Sequence, residues 1–264
     1  MTDKKRELQE RFGRAAAAYV TSKVHARGEG LKVLLELTGP QPEWRVLDVG
    51  TGGGHTALTF APHVAEVIAT DLTPEMLAAT QAQAEERGLT NVTVRPADAE
   101  ALPFDAGQFD LVTSRLALHH FPNPRQALAE MARVARSPDP ASGAPGGLVA
   151  LADNVVPPNR EDGAYINACE KLRDPAHHWC YPLPRLASMF EQAGLAVEDT
   201  REFTKEIDFG PWVARQGVPE EDQIKLRKML LAAPPGVKEY LTPRQDGDKI
   251  YFTLHEAVIV GRKG

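Results

Sequence analysis

Long apolar runs, cysteines and positive charge are all in short supply in this 264-residue chain, and each shortage excludes a class of protein. No uninterrupted apolar stretch approaches the roughly 18–20 residues that cross a bilayer, so no membrane span is expected. The opening Met1-Thr2-Asp3-Lys4-Lys5-Arg6-Glu7 is charged and no apolar core follows it, which argues against a signal peptide. Two cysteines, Cys169 and Cys180, are too few for a secreted disulfide scaffold. The 30 Lys+Arg are outnumbered by 36 Asp+Glu, a net charge of −6, whereas a protein that grips nucleic acid needs a basic face. What remains is 42% hydrophobic and 25% charged residues, enough for a full core without staples. The expectation is a cytoplasmic globular enzyme of one large or two small domains.

The chain then alternates between two periodicities. The first thirty residues read as helix, with Phe12 and Tyr19 on one face around Ala15-Ala16-Ala17-Ala18, and Leu31 to Leu37 continues it up to Gly39-Pro40. Arg45 to Val49 reads as a strand, Gly50 to Gly54 as a glycine loop, and Thr56 to Phe60 as a helix, the opening of a βαβ unit. Further strands are predicted at Glu66–Thr70, Val92–Arg95, Phe109–Ser114 and Leu148–Ala152. Between them lie a helix capped by Thr73 and ended by Gly88, and another opened by Asn123-Pro124. The breaker-rich stretch 137–147 is predicted as loop. Strands alternating with helices imply an α/β fold whose parallel sheet is covered on both faces.

The rhythm fails at 157–182, where Pro157-Pro158 and Asp174-Pro175 interrupt it. A helix at Pro184–Ala193, a strand at Leu195–Phe203, a mostly helical stretch over 204–248 and a closing strand at Ile250–Val260 follow. The economical reading is one domain spanning 1–264: an N-terminal helical cap at 1–40, a core at 41–155, and insertions at 157–182 and 204–248.

The loop after the first strand, Asp48-x-Gly50-x-Gly52-x-Gly54, lets backbone approach a ligand closely at a helix N-terminus. It overlaps the dinucleotide pattern in Gly52-Gly53-Gly54-His55-Thr56-Ala57. Charge separates the two ligands: Asp48 repels a pyrophosphate but suits the ammonium and sulfonium of S-adenosylmethionine. Asp71 ends the second strand, 17 residues after Gly54, where a carboxylate accepts from ribose hydroxyls, and Asp98 follows the third, placed for an adenine amine. Asp71 alone would also serve NAD; only the three acids together discriminate.

The segments Val46–Gly54, Ala69–Leu77 and Ala97–Phe104, extended by Phe109–Arg115 and His119-His120-Phe121, make the chain resemble the class I S-adenosylmethionine-dependent methyltransferases. Within that class it is similar to the ubiquinone/menaquinone C-methyltransferase-like group of small-molecule methyltransferases. The likeness covers roughly residues 10–155. It implies a Rossmann-like, doubly wound seven-stranded sheet with a final antiparallel strand. It also implies that Asp48, Gly50, Thr51, Gly52 and Gly54 hold the methionine portion of the cofactor and that Asp71 binds ribose. Leu72 and Met76 would then lie against adenine, Asp98 and Ala99 at its edge, and Arg115 and Leu116 along the sulfonium. Tyr19 matches the position from which this group covers the bound cofactor.

Methyl transfer needs positioning and water exclusion, and a base only where the nucleophile must lose a proton. His119 and His120 follow the fourth strand near the ligand crevice; a catalytic role and a turn-shaping role weigh equally for the pair. Asp153, His177, His178 and Trp179 are expected to line the acceptor pocket. No metal is expected: Cys169, His177, His178 and Cys180 match no standard zinc spacing, and Arg115 stands where metal-dependent relatives of the Asp153-Asn154 type carry an acid. Ser114-Arg115-Leu116-Ala117 also lacks the Pro-Pro-aromatic motif of nucleic-acid amino-methyltransferases. The reading is methyl transfer from S-adenosylmethionine to a small, partly apolar acceptor, with a homodimer left open. An NAD(P)-dependent oxidoreductase and a cofactor-binding scaffold without turnover are the alternatives.

Overall fold

The computed structural model describes residues 5–6, 9–13 and 28–264. Residues 9–13 are helical, while Ala15 to Ala18 and Tyr19 lie outside the described residues, so the expectation placed on Tyr19 is not addressed. Helix α1 (Glu29–Thr38) ends at Gly39, whose left-handed backbone lets its N–H cap the Leu35 carbonyl. There follow β1 (Arg45–Val49), α2 (His55–Phe60), β2 (Glu66–Asp71), α3 (Pro74–Glu86), β3 (Val92–Pro96), β4 (Leu111–Arg115), α4 (Pro124–Val134) and β5 (Leu148–Val155).

Beyond β5 the structure departs from the expected boundaries. A fourteen-residue helix, α5 (Arg160–Arg173), occupies the segment read as a break. Its signal is local: Asn159 caps it by accepting from the N–H groups of Glu161 and Asp162, and those two acids sit in its positively polarised first turn. By contrast Thr73 and Asn123 flank their helices without making a side-chain cap. Helix α6 (Leu183–Gln192) leads to β6 (Leu195–Asp208), which continues five residues past the predicted Phe203 because it pairs along most of its length with β8 (Lys249–Lys263). Short helices α7 (Phe209–Ala214), α8 (Glu220–Leu231) and α9 (Pro235–Leu241) and the three-residue β7 (Arg244–Asp246) lie between them.

The strands form one sheet in the order β3-β2-β1-β4-β5-β8-β6, with β7 paired to the free part of β8. Strands β1 to β5 are mutually parallel and β8 runs antiparallel to both β5 and β6. This is the Rossmann-like arrangement with a final antiparallel strand, with short β7 added as an eighth strand. Chain order reverses between β1 and β4, so the crevice at their carboxyl ends is the topological switch point at which such sheets bind ligands.

Each face has its own core. Leu47, Val112, Leu128, Met131, Phe190 and Ile259 fill one, under α4 and α6. Val46, Leu34, Phe60, Val67 and Val258 fill the other, under α1 and α2. A third cluster, around Phe209, Trp212, Leu226, Val237 and Phe252, packs α5 and α7 to α9 onto the outer half of β8. At about 25 cal/mol per Å2 of apolar surface, each fully buried Leu or Phe in these cores contributes on the order of 2 kcal/mol.

Candidate functional site

The loop from β1 to α2 is held from behind by hydroxyls. The Asp48 carboxylate accepts from Thr51 Oγ1 at 2.6 Å and from Thr113 Oγ1 at 2.8 Å and is fully enclosed. Burial pushes its pKa up to about 6, against the pull of those hydroxyls and of the Arg115 charge. Asp48 therefore braces the loop from beneath. It is not among the residues that line the cavity above it, which changes the direct ligand contact expected from sequence.

Two glycines explain the loop's composition. Gly54 has φ +81°, and a Cβ there would stand 2.7 Å from Thr80 Cγ2. Gly52, at φ +53°, would point a Cβ at nothing within 4 Å. The first glycine lets α3 pack against the loop and the second leaves the crevice open. Thr80 Oγ1 and Gln83 Nε2 of α3 then fix the loop by donating to the carbonyls of Gly52 and Gly53.

Above the loop is a cavity of about 1020 Å3 including its mouth. It brings together Gly50, Thr51, Gly52, Asp71, Leu72, Met76, Asp98, Ala99, Arg115, Leu116 and His120 from the predicted set. At the end of β2, Asp71 Oδ2 accepts the Gly52 N–H and Oδ1 the Thr73 N–H, each at 2.9 Å. Burial raises its pKa against those two hydrogen bonds. The Thr73 side chain and the Leu72 backbone also favour its charged form, and the group stands in the cavity wall.

At the other end of the cavity the sequence reading missed three residues. Lys5 Nζ is 2.7 Å from both Asp98 Oδ2 and Glu100 Oε2, and Phe12 joins the wall. Burial alone would lower the Lys5 pKa, but the two carboxylates outweigh it and hold it above its ordinary value. Glu100 also accepts from the backbone and side-chain N–H of Asn123. No local motif marks Lys5 or Phe12; they come from a segment whose only sequence signal was helical.

After β4 the backbone is strained at Leu116, φ +52°, a conformation costly for a side chain of this size. Its N–H is tied to the Ala152 carbonyl at 2.8 Å. Arg115 reaches Thr56 Oγ1 at 3.2 Å, and burial lowers its pKa to about 10 although Asp48 and Asp153 both favour its charge.

The two histidines separate in role. His120 lines the cavity and His119 does not. His119 is locked to Asp153, with Nδ1 at 2.6 Å from Oδ1 and the backbone N–H at 3.0 Å from Oδ2. Asp153, 2% exposed, is thus a brace behind the turn instead of part of the cavity wall. His177 is buried and bonded through Nε2 to Asn167 Oδ1 at 2.8 Å; burial, and then the His119 and His120 charges, depress its pKa to about 2. His178 and Trp179 are exposed and give their N–H groups to the His119 carbonyl. The structure places none of His177, His178 and Trp179 in the cavity wall. Cys169 and Cys180 are buried free thiols. Among the described residues, no group of three His, Cys, Asp or Glu is placed to hold a metal, and no helix is long and apolar enough to cross a membrane.

A cavity with an open glycine floor, a carboxylate at one strand end and carboxylates at the next fits a nucleoside-bearing ligand. Residues 47–138 match the methyltransferase domain family. The chain is 34% identical to the uncharacterized methyltransferase YcgJ of Bacillus subtilis over 254 residues, covering 96% of this chain and 97% of the relative. The crystal structure of that protein superposes with a TM-score of 0.83 over 90% of this chain and 99% of the other. A structure described as a putative methyltransferase from Bacillus halodurans, 32% identical, gives the same TM-score over 89% of this chain and 99% of that one.

Proposed function

The chain belongs to the class I S-adenosylmethionine-dependent methyltransferases, and from that premise we propose that it methylates a small, partly apolar acceptor at the carboxyl edge of β4. S-adenosylmethionine is its cofactor. When bound, this cofactor supplies an electrophilic methyl group on a sulfur that departs as a neutral thioether.

The observation that carries the assignment is Asp71, a half-buried carboxylate at the end of β2 that lines the same cavity as Gly52. In this reading Asp71 takes the ribose hydroxyls, Leu72 and Met76 flank adenine, and Asp98 and Ala99 meet its edge. Gly50, Thr51 and Gly52 hold the methionine end while Asp48 and Gly54 set the loop's shape. Arg115 and Leu116 border the sulfonium side, and His120 meets the acceptor. Helices α5 and α7 to α9 form the acceptor-side cover, on the single-domain plan with insertions after β5 and β6. This reading sets the chain with the ubiquinone/menaquinone C-methyltransferase-like group, and a cytoplasmic location and a small-molecule rather than nucleic-acid acceptor fit the acidic charge.

The test is thermal melting. S-adenosylhomocysteine at about 100 times its Kd adds about 2.7 kcal/mol, several degrees in Tm, while NAD and NADP add nothing. An unchanged melting curve with saturating S-adenosylhomocysteine overturns the proposal, and a shift with NAD alone revives the oxidoreductase alternative.

A further inference from the structure

One short stretch of chain touches both ends of the cavity. Residues 5–6 and 9–13 are helical, and their side chains reach several separate parts of the sheet's carboxyl edge. Lys5 Nζ sits between Asp98 Oδ2 and Glu100 Oε2, past β3, at 2.7 Å from each. Gln9 Nε2 donates to the Leu72 carbonyl, past β2, at 2.8 Å. A Cβ on Gly13 would stand 2.9 Å from Glu75 Oε2 and 3.1 Å from its Cδ, in the first turn of α3. Arg11 Nε lies 3.1 Å from Asp174 Oδ1, just past α5, and its Nη2 donates to Gln216 Oε1 at 3.4 Å. Phe12 meets the His120 ring, after β4, edge-on at 5.0 Å.

The first two of these contacts fall on residues proposed for the cofactor. Asp98 is the carboxylate assigned to the adenine amine, and Leu72 is assigned to the face of adenine. Lys5 and Phe12 themselves stand in the cavity wall. Glu100 is held independently, since it accepts the Asn123 backbone N–H at 2.7 Å and Asn123 Nδ2 at 3.0 Å. An ammonium carries three N–H donors, so Lys5 can leave Asp98 and stay on Glu100. Arg11 is placed differently: neither it nor Asp174 nor Gln216 lines the cavity. Its route to the cofactor is through the chain that it anchors.

We propose that residues 5–6 and 9–13 form a strap across the cavity, anchored at the adenine end by Lys5 and at the acceptor end by Arg11 and Phe12, that must release for the cofactor to enter. The proposal rests on the cofactor reading of the cavity. Strap and cofactor compete for Asp98, so the measured affinity is the intrinsic affinity scaled by the fraction of strap that is open. Every anchor lowers that fraction, whether or not it lies near the cofactor. Release also carries Phe12 off His120, so the event that admits the cofactor uncovers the acceptor end. Arg11 is in this scheme a positioning residue, acting on the cofactor through the strap alone.

The test uses the full chain and follows S-adenosylhomocysteine association by surface plasmon resonance. In the double variant Gly13→Cys/Glu75→Cys the two positions are within disulfide reach, so an oxidant locks the strap onto α3 and dithiothreitol frees it. Association is expected to be at least about tenfold slower with the oxidised variant than with the same protein reduced. Wild type carried through the same oxidation controls for the buried thiols of Cys169 and Cys180. Arg11→Met and Lys5→Met are each expected to speed association by about two- to fivefold and to tighten binding. A merely structural Arg11 would weaken binding or leave it alone. Equal rates in oxidised and reduced protein, failure of the pair to cross-link, or an Arg11→Met that associates no faster than wild type overturns the strap. No binding to wild type at all overturns the cofactor reading and the strap with it, so the two failures are distinguishable.

Discussion

The cofactor end and the acceptor end of the crevice are built in opposite ways. At the cofactor end each functional group lies within a few residues of a strand terminus, and most of its partners are backbone: Asp71 accepts from Gly52 and Thr73, and the loop carbonyls are held by Thr80 and Gln83. At the acceptor end the groups come from distant segments and hold one another: His119 on Asp153, His120 on Ala176, and Arg11 on Asp174 at 3.1 Å. Backbone-built sites are repeatable from a short motif. Side-chain-built sites depend on how the rest of the chain folds over them.

The largest effect belongs to the loop. Gly54→Val forces a β-branched residue to φ +81° against Thr80, so a loss of about 3 kcal/mol and of measurable S-adenosylhomocysteine binding is expected in denaturation and calorimetry. Unchanged stability would show that the loop tolerates a side chain and that its glycines are not structural. Next, Asp71→Ala removes the acceptors proposed for the ribose and should weaken S-adenosylhomocysteine by roughly 100-fold, about 3 kcal/mol, in a protein that still melts cooperatively. Wild-type affinity in that variant would refute the ribose assignment.

At the acceptor end the expected signature is pH dependence. The folded pKa of His119 is raised, so its pairing with Asp153 stabilises fully below the unfolded value near 6.5 and is lost as pH rises through the folded value. Asp153→Asn should therefore cost about 2 kcal/mol in acid, with the gap to wild type narrowing on the alkaline side. A gap that widens with pH would contradict the pairing. The smallest effect is at Lys5, whose ammonium sits on the carboxylate proposed for the adenine amine. Lys5→Met should tighten S-adenosylhomocysteine by about two- to fivefold, within 1 kcal/mol. Weaker binding would make Lys5 a clamp instead of a competitor.

This contrast explains what the sequence disclosed. Strands β1 to β5 and the loop were legible because apolar runs, breakers and glycines are local signals, and so were the positions of Asp71, the last residue of β2, and Asp98, two residues past β3. Asp48 stands in β1 but is not part of the cavity wall, because its carboxylate is taken up by Thr51 and Thr113. Helix α5 was obscured by the prolines on either side of it, although Asn159 with Glu161 and Asp162 marks its start. The parts played by Lys5, Phe12 and Asp153 were not legible, since each depends on a partner dozens of residues away or more.

The cavity between the β1 loop and Asp98 is proposed as the cofactor site. A crystal structure of the S-adenosylhomocysteine complex tests it most directly. The expected result is both ribose hydroxyls within hydrogen-bond distance of Asp71, adenine between Leu72 and Met76, and Lys5 displaced from Asp98. A ligand bound elsewhere, or ribose without contact to Asp71, would contradict it.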